Sequence, residues 1–216
     1  MTYVWSNSDP KQACRDKIVE VANQQLPRVQ QVFTLPSEEA LCAKTFRSTW
    51  PMCAMVGVER QKGIFERMDR SSGIVMRRCT LREYIASQTL PEHHCDVAFF
   101  DLVGPASLPN LGDIVDFVAN DLVVHRKNPM VMAVTFNSTF RHDRDANRVL
   151  DAITTDVWHE TGELIGYTIE TVTALLCQKI RERTRVRRLS VVHHESYQAQ
   201  DGSTPMFFII LLVEKY

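Results

Sequence analysis

The sequence has no strong excess of charge of either sign. Its 216 residues include 25 Lys and Arg against 26 Asp and Glu, which gives a formal net charge of -1 at pH 7. A chain that binds nucleic acid or an anionic surface through its overall field carries a clear excess of positive charge. Any nucleic-acid site on this protein must therefore be a local patch.

The cysteine pattern lacks the spacing of a structural metal site. Six cysteines are present, none of them spaced C-x-x-C, and none lies near a histidine in a zinc-like arrangement. Free cysteines in apolar patterns are typical of the reduced core of a cytoplasmic protein. The six are Cys14, Cys42, Cys53, Cys79, Cys95 and Cys177.

Long apolar segments are also missing. The first residues, MTYVWSNSDPKQ, do not show a charged segment followed by an apolar one, as a secretory signal does. The longest apolar run, residues 206–213, is too short to cross a bilayer. We therefore expect a soluble, cytoplasmic protein with no membrane partner.

Short apolar strands alternate with amphipathic helices along most of the chain. This alternation predicts a parallel sheet with right-handed crossovers. Two apolar strands joined by AQDGS close the sequence, and Asp201-Gly202 is a hairpin signal. The predicted strands are 29–36, 53–59, 73–80, 96–101, 129–137, 187–198 and 204–215. The predicted helices are 10–26, 37–50, 62–71, 81–88, 111–124, 146–157 and 165–180.

The predicted fold is therefore α/β. It is a single open, mostly parallel, seven-stranded sheet with helices on both faces and a C-terminal antiparallel hairpin. Asp9 and Pro10 mark the start of the first helix, with a capping acid and a proline in the first turn. We divide the chain into an N-terminal helical extension, residues 1–27, and an α/β domain, residues 28–216.

The stretch CDVAFFDLVGPASLPNLGDIVDF, residues 95–117, places a carboxylate at the end of a buried strand. The apolar run ends on Asp101, and a loop with Gly104 and Pro105 follows. In open α/β sheets, ligands bind outside the carboxyl ends of the strands. Asp101 is therefore a candidate site residue, although an acid at this place can also cap a helix or order a loop.

With this order of elements, and acids at the strand ends, the chain resembles the class I S-adenosylmethionine-dependent methyltransferases over residues 28–216. The segments TLPSEEALCAKTF, VGVERQKGIFERM and FFDLVGPAS are most similar to divergent methyltransferases of viruses and mobile elements. The resemblance implies a Rossmann-like sheet whose last strand is antiparallel, with S-adenosylmethionine as the cofactor.

The resemblance also implies which residues bind the cofactor. Glu59, at the end of the second strand, would accept hydrogen bonds from the ribose hydroxyls, as a carboxylate does well. The alternative is that Glu59 is an ordinary surface acid. The implied cofactor-binding residues are Leu35, Pro36, Ser37, Glu59, Arg60, Thr80, Leu81 and Asp101.

The first loop departs from the family pattern. Methyltransferases of this class have a glycine-rich turn there, but FTLPSEEALC contains no glycine, and Pro36 has no N–H to offer a ligand. Ser37 is placed either to cap the next helix or to touch the cofactor carboxylate. Either the cofactor sits differently in this protein, or it is not bound.

On the acceptor side, the resemblance gives Asp101 the role of orienting or deprotonating the group to be methylated. The loop keeps the acid and one proline but has no aromatic to stack on a base, which argues against amino methylation of adenine or cytosine. Phe140 and Arg141 could stack on a base or hold a phosphate, or simply precede a helix. The implied substrate residues are Gly104, Pro105, Phe140, Arg141, Arg185, Arg187 and Arg188.

A dense group of cations lies at residues 179–188. It contains six Lys and Arg with one acid, Glu182. Such a cluster can bind nucleic-acid phosphates, with steep salt dependence. It can also be a solvated helix end whose cations offset the helix dipole, or a contact for an acidic protein.

The sequence VVHHES does not predict a metal site. Adjacent residues on a strand point to opposite faces, so His193 and His194 cannot easily share one metal ion. One of His194 and Glu195 could instead face the substrate.

Two functions remain open. One is methyl transfer from S-adenosylmethionine to DNA or RNA. The other is a methyltransferase-like fold that has lost catalysis and binds nucleic acid or protein.

Overall fold

The computed structural model describes residues 9–37, 39–87, 95–121, 129–138, 167–184, 186–198 and 205–214. The helices are α1 (Pro10–Gln25), α2 (Leu41–Thr49), α3 (Lys62–Arg67), α4 (Leu81–Ser87), α5 (Leu108–Asp121) and α6 (Ile169–Arg183). The strands are β1 (Gln31–Thr34), β2 (Ala54–Val58), β3 (Val75–Arg77), β4 (Val97–Pro105), β5 (Met130–Asn137), β6 (Arg188–Gln198) and β7 (Pro205–Glu214).

The seven strands form one sheet in the order β3-β2-β1-β4-β5-β7-β6. Strands β1 to β5 pair in parallel, and β7 lies antiparallel between β5 and β6. This arrangement confirms the predicted fold, including the antiparallel hairpin at the C-terminal end.

The last strand is central in the sheet rather than at its edge. Every residue from Met206 to Val213 is buried. A strand with neighbours on both sides and helices over both faces must be apolar on both faces, so its continuous apolar run follows from its position.

Helices cover both faces of the sheet. On one face, α1 and α2 pack against the strands through Ile18, Ala22 and Phe46, all fully buried. On the other face, α4, α5 and α6 contribute Tyr84, Ile114 and Leu176 to a second core. No helix among the described residues is long and apolar enough to cross a membrane.

The first helix begins where the sequence predicts. The Asp9 carboxylate accepts a hydrogen bond from the Lys11 backbone N–H at 3.0 Å, and Pro10 occupies the first helical position. Because Cys14 and Ile18 are buried against the sheet, α1 is held with its first turn over the edge where β4 and β5 end.

The second helix begins four residues later than the pattern predicts. Ser37 does not cap it, because the Ala40 N–H donates to the Ser37 carbonyl at 3.0 Å and closes a turn. Ala40 itself has φ 50°, in the left-handed region, which is incompatible with a helix continuing through it. The helix therefore starts at Leu41.

Strand β4 does not end at Asp101, as the pattern suggests, but continues to Pro105. Its pairing with β5 is irregular in between, since Asp101 pairs with Thr135 and Pro105 pairs with Asn137. More residues lie between the paired positions on β4 than on β5, so the chain bulges directly after Asp101. Bulges of this kind commonly re-aim a side chain next to a functional site.

Two predicted elements lie outside the described residues. They are the helix over residues 146–157 and the hairpin turn at Asp201-Gly202.

Candidate functional site

The parallel strands end at one edge of the sheet, here called the carboxyl edge. The chain leaves β1 toward β2 on one side and later returns to β4 on the other side, so the connection reverses direction between β1 and β4. In open α/β sheets this reversal opens a crevice that binds ligands. Asp101 lies on β4, two residues beyond the last residue paired with β1.

The Asp101 carboxylate is held from two directions. The Lys11 ammonium of α1 donates to both carboxylate oxygens, at 3.0 and 3.2 Å. The Thr135 hydroxyl of β5 donates to Oδ1 at 2.8 Å. The Asp101 side chain is 17% exposed and that of Lys11 is 36% exposed, so this ion pair is partly shielded but still reached by solvent.

A row of side chains crosses the sheet at this level. Asp101 pairs with Thr135, Thr135 with Phe208, and Phe208 with Glu195. Directly paired residues share a face, so Glu195 lies on the α1 side of the sheet with Asp101. The carboxyl edge therefore carries a second acid at the same level.

The two histidines of β6 occupy opposite faces, as predicted. His193 packs against the Phe208 ring at 5.7 Å, and its Nε2 lies 3.4 Å from Glu195 Oε1. His194 is exposed beside α6. Of the two candidates on this strand, Glu195 faces the α1 side, toward Asp101.

Two buried protic groups lie beneath α1 next to these acids. Burial, together with the nearby Glu195 and Asp101 carboxylates, raises the pKa of the Cys14 thiol. Burial likewise raises the pKa of the Tyr197 hydroxyl, and Cys14 and Asp101 add to the effect. Both groups therefore keep their protons near neutral pH.

Glu59 follows β2 at the same edge. Its backbone N–H donates to the Arg77 carbonyl at 3.1 Å, which continues the sheet pairing by one residue. Its Oε1 accepts a hydrogen bond from the Gln61 N–H at 2.6 Å. Glu59 is half-buried and Arg60 is exposed, so the carboxylate is at the edge but also orders the start of α3.

The loop after β1 is closed by its own contacts. The Leu35 N–H donates to the Phe99 carbonyl at 3.2 Å, and Pro36 is buried. Pro36 packs so closely over β2 that a Cβ at Gly57 would lie 3.0 Å from its Cδ. The glycine that lets Pro36 pack closely against the sheet is thus Gly57 on β2, not a glycine in the loop. Of the three predicted loop residues, Leu35, Pro36 and Ser37, only Ser37 is exposed.

The residues after β3 form the start of helix α4. Thr80 and Glu83 cap α4 reciprocally: the Thr80 N–H and hydroxyl both donate to Glu83 Oε2, and the Glu83 N–H donates to Thr80 Oγ1. The hydrogen bonds from Thr80 lower the pKa of Glu83. Leu81 is the first residue of α4 and is half-buried.

The loop after β4 is fixed by Tyr167, just before α6. The Tyr167 hydroxyl accepts from the Ala106 N–H and donates to the Asn137 carbonyl, both at 3.0 Å. Burial raises the pKa of Tyr167 to about 12, so the hydroxyl remains a donor at neutral pH. Gly104 and Pro105 are thereby held at the end of β5, beside the carboxyl edge.

The described part of the basic segment, residues 179–184 and 186–188, lies toward the opposite edge of the sheet, here called the amino edge. Arg187 and Arg188 precede the body of β6, and Arg188 pairs with Glu214 at the end of β7. Phe208, which pairs with Thr135 at the level of Asp101, lies six residues before Glu214 on β7. At roughly 3.3 Å per residue, Arg188 is therefore about 20 Å along the strands from the level of Asp101. Phe140, Arg141 and Arg185 lie outside the described residues.

The structure thus brings most of the predicted cofactor and acceptor residues to one edge, and two of the predicted phosphate ligands to the other. Among the described residues, three more at the carboxyl edge were not predicted from the sequence: Lys11, Thr135 and Tyr167. Nothing in the local sequence marks them, because each reaches the site only through the packing of α1, β5 and α6.

Comparison with solved structures identifies this architecture. The O-methyltransferase TomG from Streptomyces achromogenes, solved in complex with S-adenosylmethionine, is 12% identical, with a TM-score of 0.56 over 97% of this chain and 82% of that one. The O-methyltransferase from Bacillus cereus, solved in complex with S-adenosylhomocysteine, is 10% identical, with a TM-score of 0.55 over 96% and 83%. This chain has the class I methyltransferase fold.

The precorrin-6y methyltransferase from Geobacter metallireducens has the same methyltransferase fold. It is 11% identical, with a TM-score of 0.52 over 100% of this chain and 93% of that one. Neither the family models nor the curated proteins gave a match to this chain. At sequence identities of 10–12%, the structural similarity to these three proteins establishes the fold alone.

Proposed function

We propose that the protein is an S-adenosylmethionine-dependent methyltransferase that acts on a nucleic acid. The observation that carries the proposal is the Asp101 carboxylate at the reversal point of a methyltransferase-fold sheet, contacted at once by Lys11 and Thr135. A carboxylate oriented in this way at this edge suits a group that accepts a proton from the methyl acceptor.

The cofactor would lie over the carboxyl ends of β1 and β2. Glu59 would accept hydrogen bonds from the ribose hydroxyls there. Arg60, Thr80 and Leu81 would surround the adenine of the cofactor, and residues 35–37 would lie along its methionine part. Bound S-adenosylmethionine supplies a methyl group on a sulfonium, which is already an excellent leaving group. The Glu59 carboxylate is present at the edge and half-buried, which fits this role.

The Lys11 ammonium favours an oxygen acceptor. A hydroxyl that loses its proton gains negative charge, which an ammonium next to the carboxylate stabilises, whereas a neutral amine gains positive charge as it attacks. Asp101 would take up the proton of the acceptor hydroxyl, and Lys11 would stabilise the negative charge that develops on its oxygen. This reasoning accords with the absence of a base-stacking aromatic after Asp101.

A hydroxyl acceptor favours RNA over DNA as the substrate. Every internal nucleotide of RNA carries a 2′-hydroxyl, the group by which a protein tells RNA from DNA. We propose that Asp101 and Lys11 act on such a hydroxyl, with Gly104, Pro105, Phe140 and Arg141 around the acceptor nucleotide.

The proposal is tested in two steps. Binding of S-adenosylmethionine to the purified chain, by calorimetry and by thermal shift, should add about 2.7 kcal/mol of stability at 100 times the dissociation constant. Transfer of a labelled methyl group should then occur to RNA and not to DNA of the same sequence. Transfer to both, with the label on the bases, would contradict the oxygen acceptor.

A second function is favoured by the first loop. The Leu35 and Ala40 amides donate to backbone carbonyls, and Pro36, which has no N–H, is buried over Gly57, so none of these three residues has a free amide to offer a cofactor. A chain that keeps the fold and the polar edge but binds no cofactor would be a non-catalytic module for RNA or protein. Failure to bind S-adenosylmethionine or S-adenosylhomocysteine, with RNA binding retained, would select this function.

A further inference from the structure

A groove lies between α6 and β6, the outermost strand on one side of the sheet. Its volume is about 520 Å³. The α6 side runs from Glu170 to Arg181, and the β6 side is formed by residues 191–194. Val191 and Val192 are 44% and 36% exposed, so the β6 edge of the groove presents apolar surface to solvent.

The groove connects the two edges of the sheet. Glu170 is in the first turn of α6 and Arg181 is in the last, which places them about 16 Å apart at 1.5 Å per residue. Arg181 therefore lies toward the amino edge with Arg187 and Arg188. At the other end, His194 immediately precedes Glu195, which is at the level of Asp101 but on the opposite face of the sheet. A strand that leaves the groove must therefore cross the carboxyl edge to reach Asp101.

The cations at the amino end are available to a ligand. Arg181 and Arg187 are exposed, and the Arg188 side chain is 69% exposed beside Glu214 at 3.8 Å. Exposed ion pairs with this separation hold weakly in water. A phosphate can therefore displace Glu214 from Arg188 at little cost.

We infer that the groove binds a single strand of RNA, with phosphates on Arg181 of the groove wall and on Arg187 and Arg188 beyond its amino end, and that the strand then crosses the carboxyl edge toward Asp101. The inference rests on the proposed function and states where its substrate lies outside the reaction site. The structure thus assigns the basic cluster to a part of the RNA remote from the methylated nucleotide.

The chemistry of the groove fits RNA better than an acidic protein. Arginine presents a planar fork that matches a phosphate in two places. Valine surface and the His194 ring give bases something to pack on, as single-stranded RNA requires. Glu170, the acid on the groove wall, is at the end opposite to Arg181 and so does not oppose phosphates on the cluster.

The separation of the two edges sets a length requirement. The distance of about 20 Å along the strands spans more than one nucleotide. A mononucleotide therefore cannot reach both ends, whereas an RNA of about twelve nucleotides can.

The test is direct binding of labelled single-stranded RNA to the full chain, followed by fluorescence anisotropy without cofactor. For RNA of about twelve nucleotides, Arg187→Ala/Arg188→Ala should weaken binding at least tenfold and make the salt slope shallower by about 1.4, for two lost contacts at about 0.7 each. Val192→Glu should also weaken binding. A mononucleotide should bind the wild type far more weakly than this RNA, because it can occupy only one end of the groove.

Matched variants elsewhere control for charge and polarity. Arg28→Ala/Lys62→Ala removes two exposed cations away from the groove, and Met52→Glu puts an acid on a side chain that is 86% exposed. Both should bind RNA as the wild type does. The inference is overturned if the groove variants bind like these controls while the wild type binds RNA, a result that leaves the proposed function intact.

A wild type that binds polyglutamate but no RNA would also overturn the inference. It would at the same time remove RNA from the proposed function, and cofactor binding would then decide the enzymatic part separately.

Discussion

The two edges of the sheet differ in how they hold charge. At the carboxyl edge, Lys11 lies within 3.2 Å of both oxygens of Asp101, and Thr135 donates to the same carboxylate. At the amino edge, Arg188 and Glu214 are 3.8 Å apart, and Arg183 is 3.4 Å from Asp116 with both side chains well exposed.

This difference separates chemistry from attachment. A partly shielded ion pair fixes the position of a carboxylate, because removing one partner leaves the other poorly solvated. Exposed pairs contribute little and can be exchanged for a ligand. The carboxyl edge is thus built to place one group accurately, and the amino edge to hold any phosphate chain that reaches it.

The largest effect should follow loss of the Asp101 charge. In Asp101→Asn the side chain keeps its size and an acceptor oxygen for Thr135, but it cannot take up the proton of a hydroxyl. We expect methyl transfer to RNA to fall about 100- to 10,000-fold, as for other lost general bases, with a much smaller change in the calorimetric affinity for S-adenosylmethionine. Full activity in this variant would show that the carboxylate only orders the loop.

Loss of the ammonium should come next. Lys11→Met keeps the aliphatic stem of the side chain but removes the charge that favours a developing oxyanion, so we expect a loss of about 100-fold in rate. Lys17→Met is the matched control, since Lys17 is on the same helix and pairs with Glu20 at 2.9 Å away from the site. Equal rates for the two variants would mean that Lys11 serves only to dock α1.

Removal of the Glu59 charge should weaken cofactor binding and leave RNA binding at the amino edge unchanged. A hydrogen bond to a charged group contributes about 1.5–3 kcal/mol, which is about 10- to 100-fold in affinity. In Glu59→Gln the side chain can still accept from the Gln61 N–H, whereas in Glu59→Ala it cannot. We therefore expect both variants to lose affinity for S-adenosylmethionine by calorimetry, and Glu59→Ala alone to be less stable as well.

Unchanged cofactor affinity in Glu59→Gln would place the ribose elsewhere. RNA binding without cofactor should be the same in both variants, because phosphates are held at the other edge.

A smaller effect should come from filling the space beneath the first loop. In Gly57→Ala the new Cβ would lie 2.8 Å from Met76 Sδ and 3.0 Å from Pro36 Cδ, so the loop must move. We expect a loss of about 1–3 kcal/mol in the free energy of unfolding, measured by urea denaturation, with weaker cofactor binding. Gly112→Ala meets nothing within 4 Å on α5 and should stabilise the chain by about 0.5–1 kcal/mol.

Most of the fold was predictable from the sequence, because local signals and topology agree. Apolar strands alternate with helices, and the run from Met206 to Val213 is apolar on both faces because β7 is central. The places of Asp101 and Glu59 at the carboxyl edge could be predicted because each closes an apolar run of the sequence. The pattern at Ser37 failed because Ala40 adopts the left-handed conformation and delays the helix.

The rest of the site depends on packing that no local pattern encodes. Lys11 reaches Asp101 only because α1 docks through Cys14 and Ile18. The sequence around Thr135 does not distinguish it from any other strand residue, although its hydroxyl donates to Asp101. The position of the basic segment, in contrast, follows from topology. A strand that comes after a crossover helix begins at the amino edge, so Arg187 and Arg188 had to lie away from Asp101.

The smallest effect on stability should come from the amino edge itself. Arg188→Ala removes an exposed cation whose Glu214 partner is 3.8 Å away, and such pairs contribute about 0–1 kcal/mol. We expect the unfolding free energy, by urea denaturation, to change by less than about 0.5 kcal/mol. The salt slope of RNA binding should nevertheless become shallower by about 0.7, one phosphate contact on a single strand.

Arg28→Ala should change neither quantity. A loss of several kcal/mol in Arg188→Ala would mean that the amino edge, like the carboxyl edge, uses its charges to hold the fold, and the distinction between the two edges would fail.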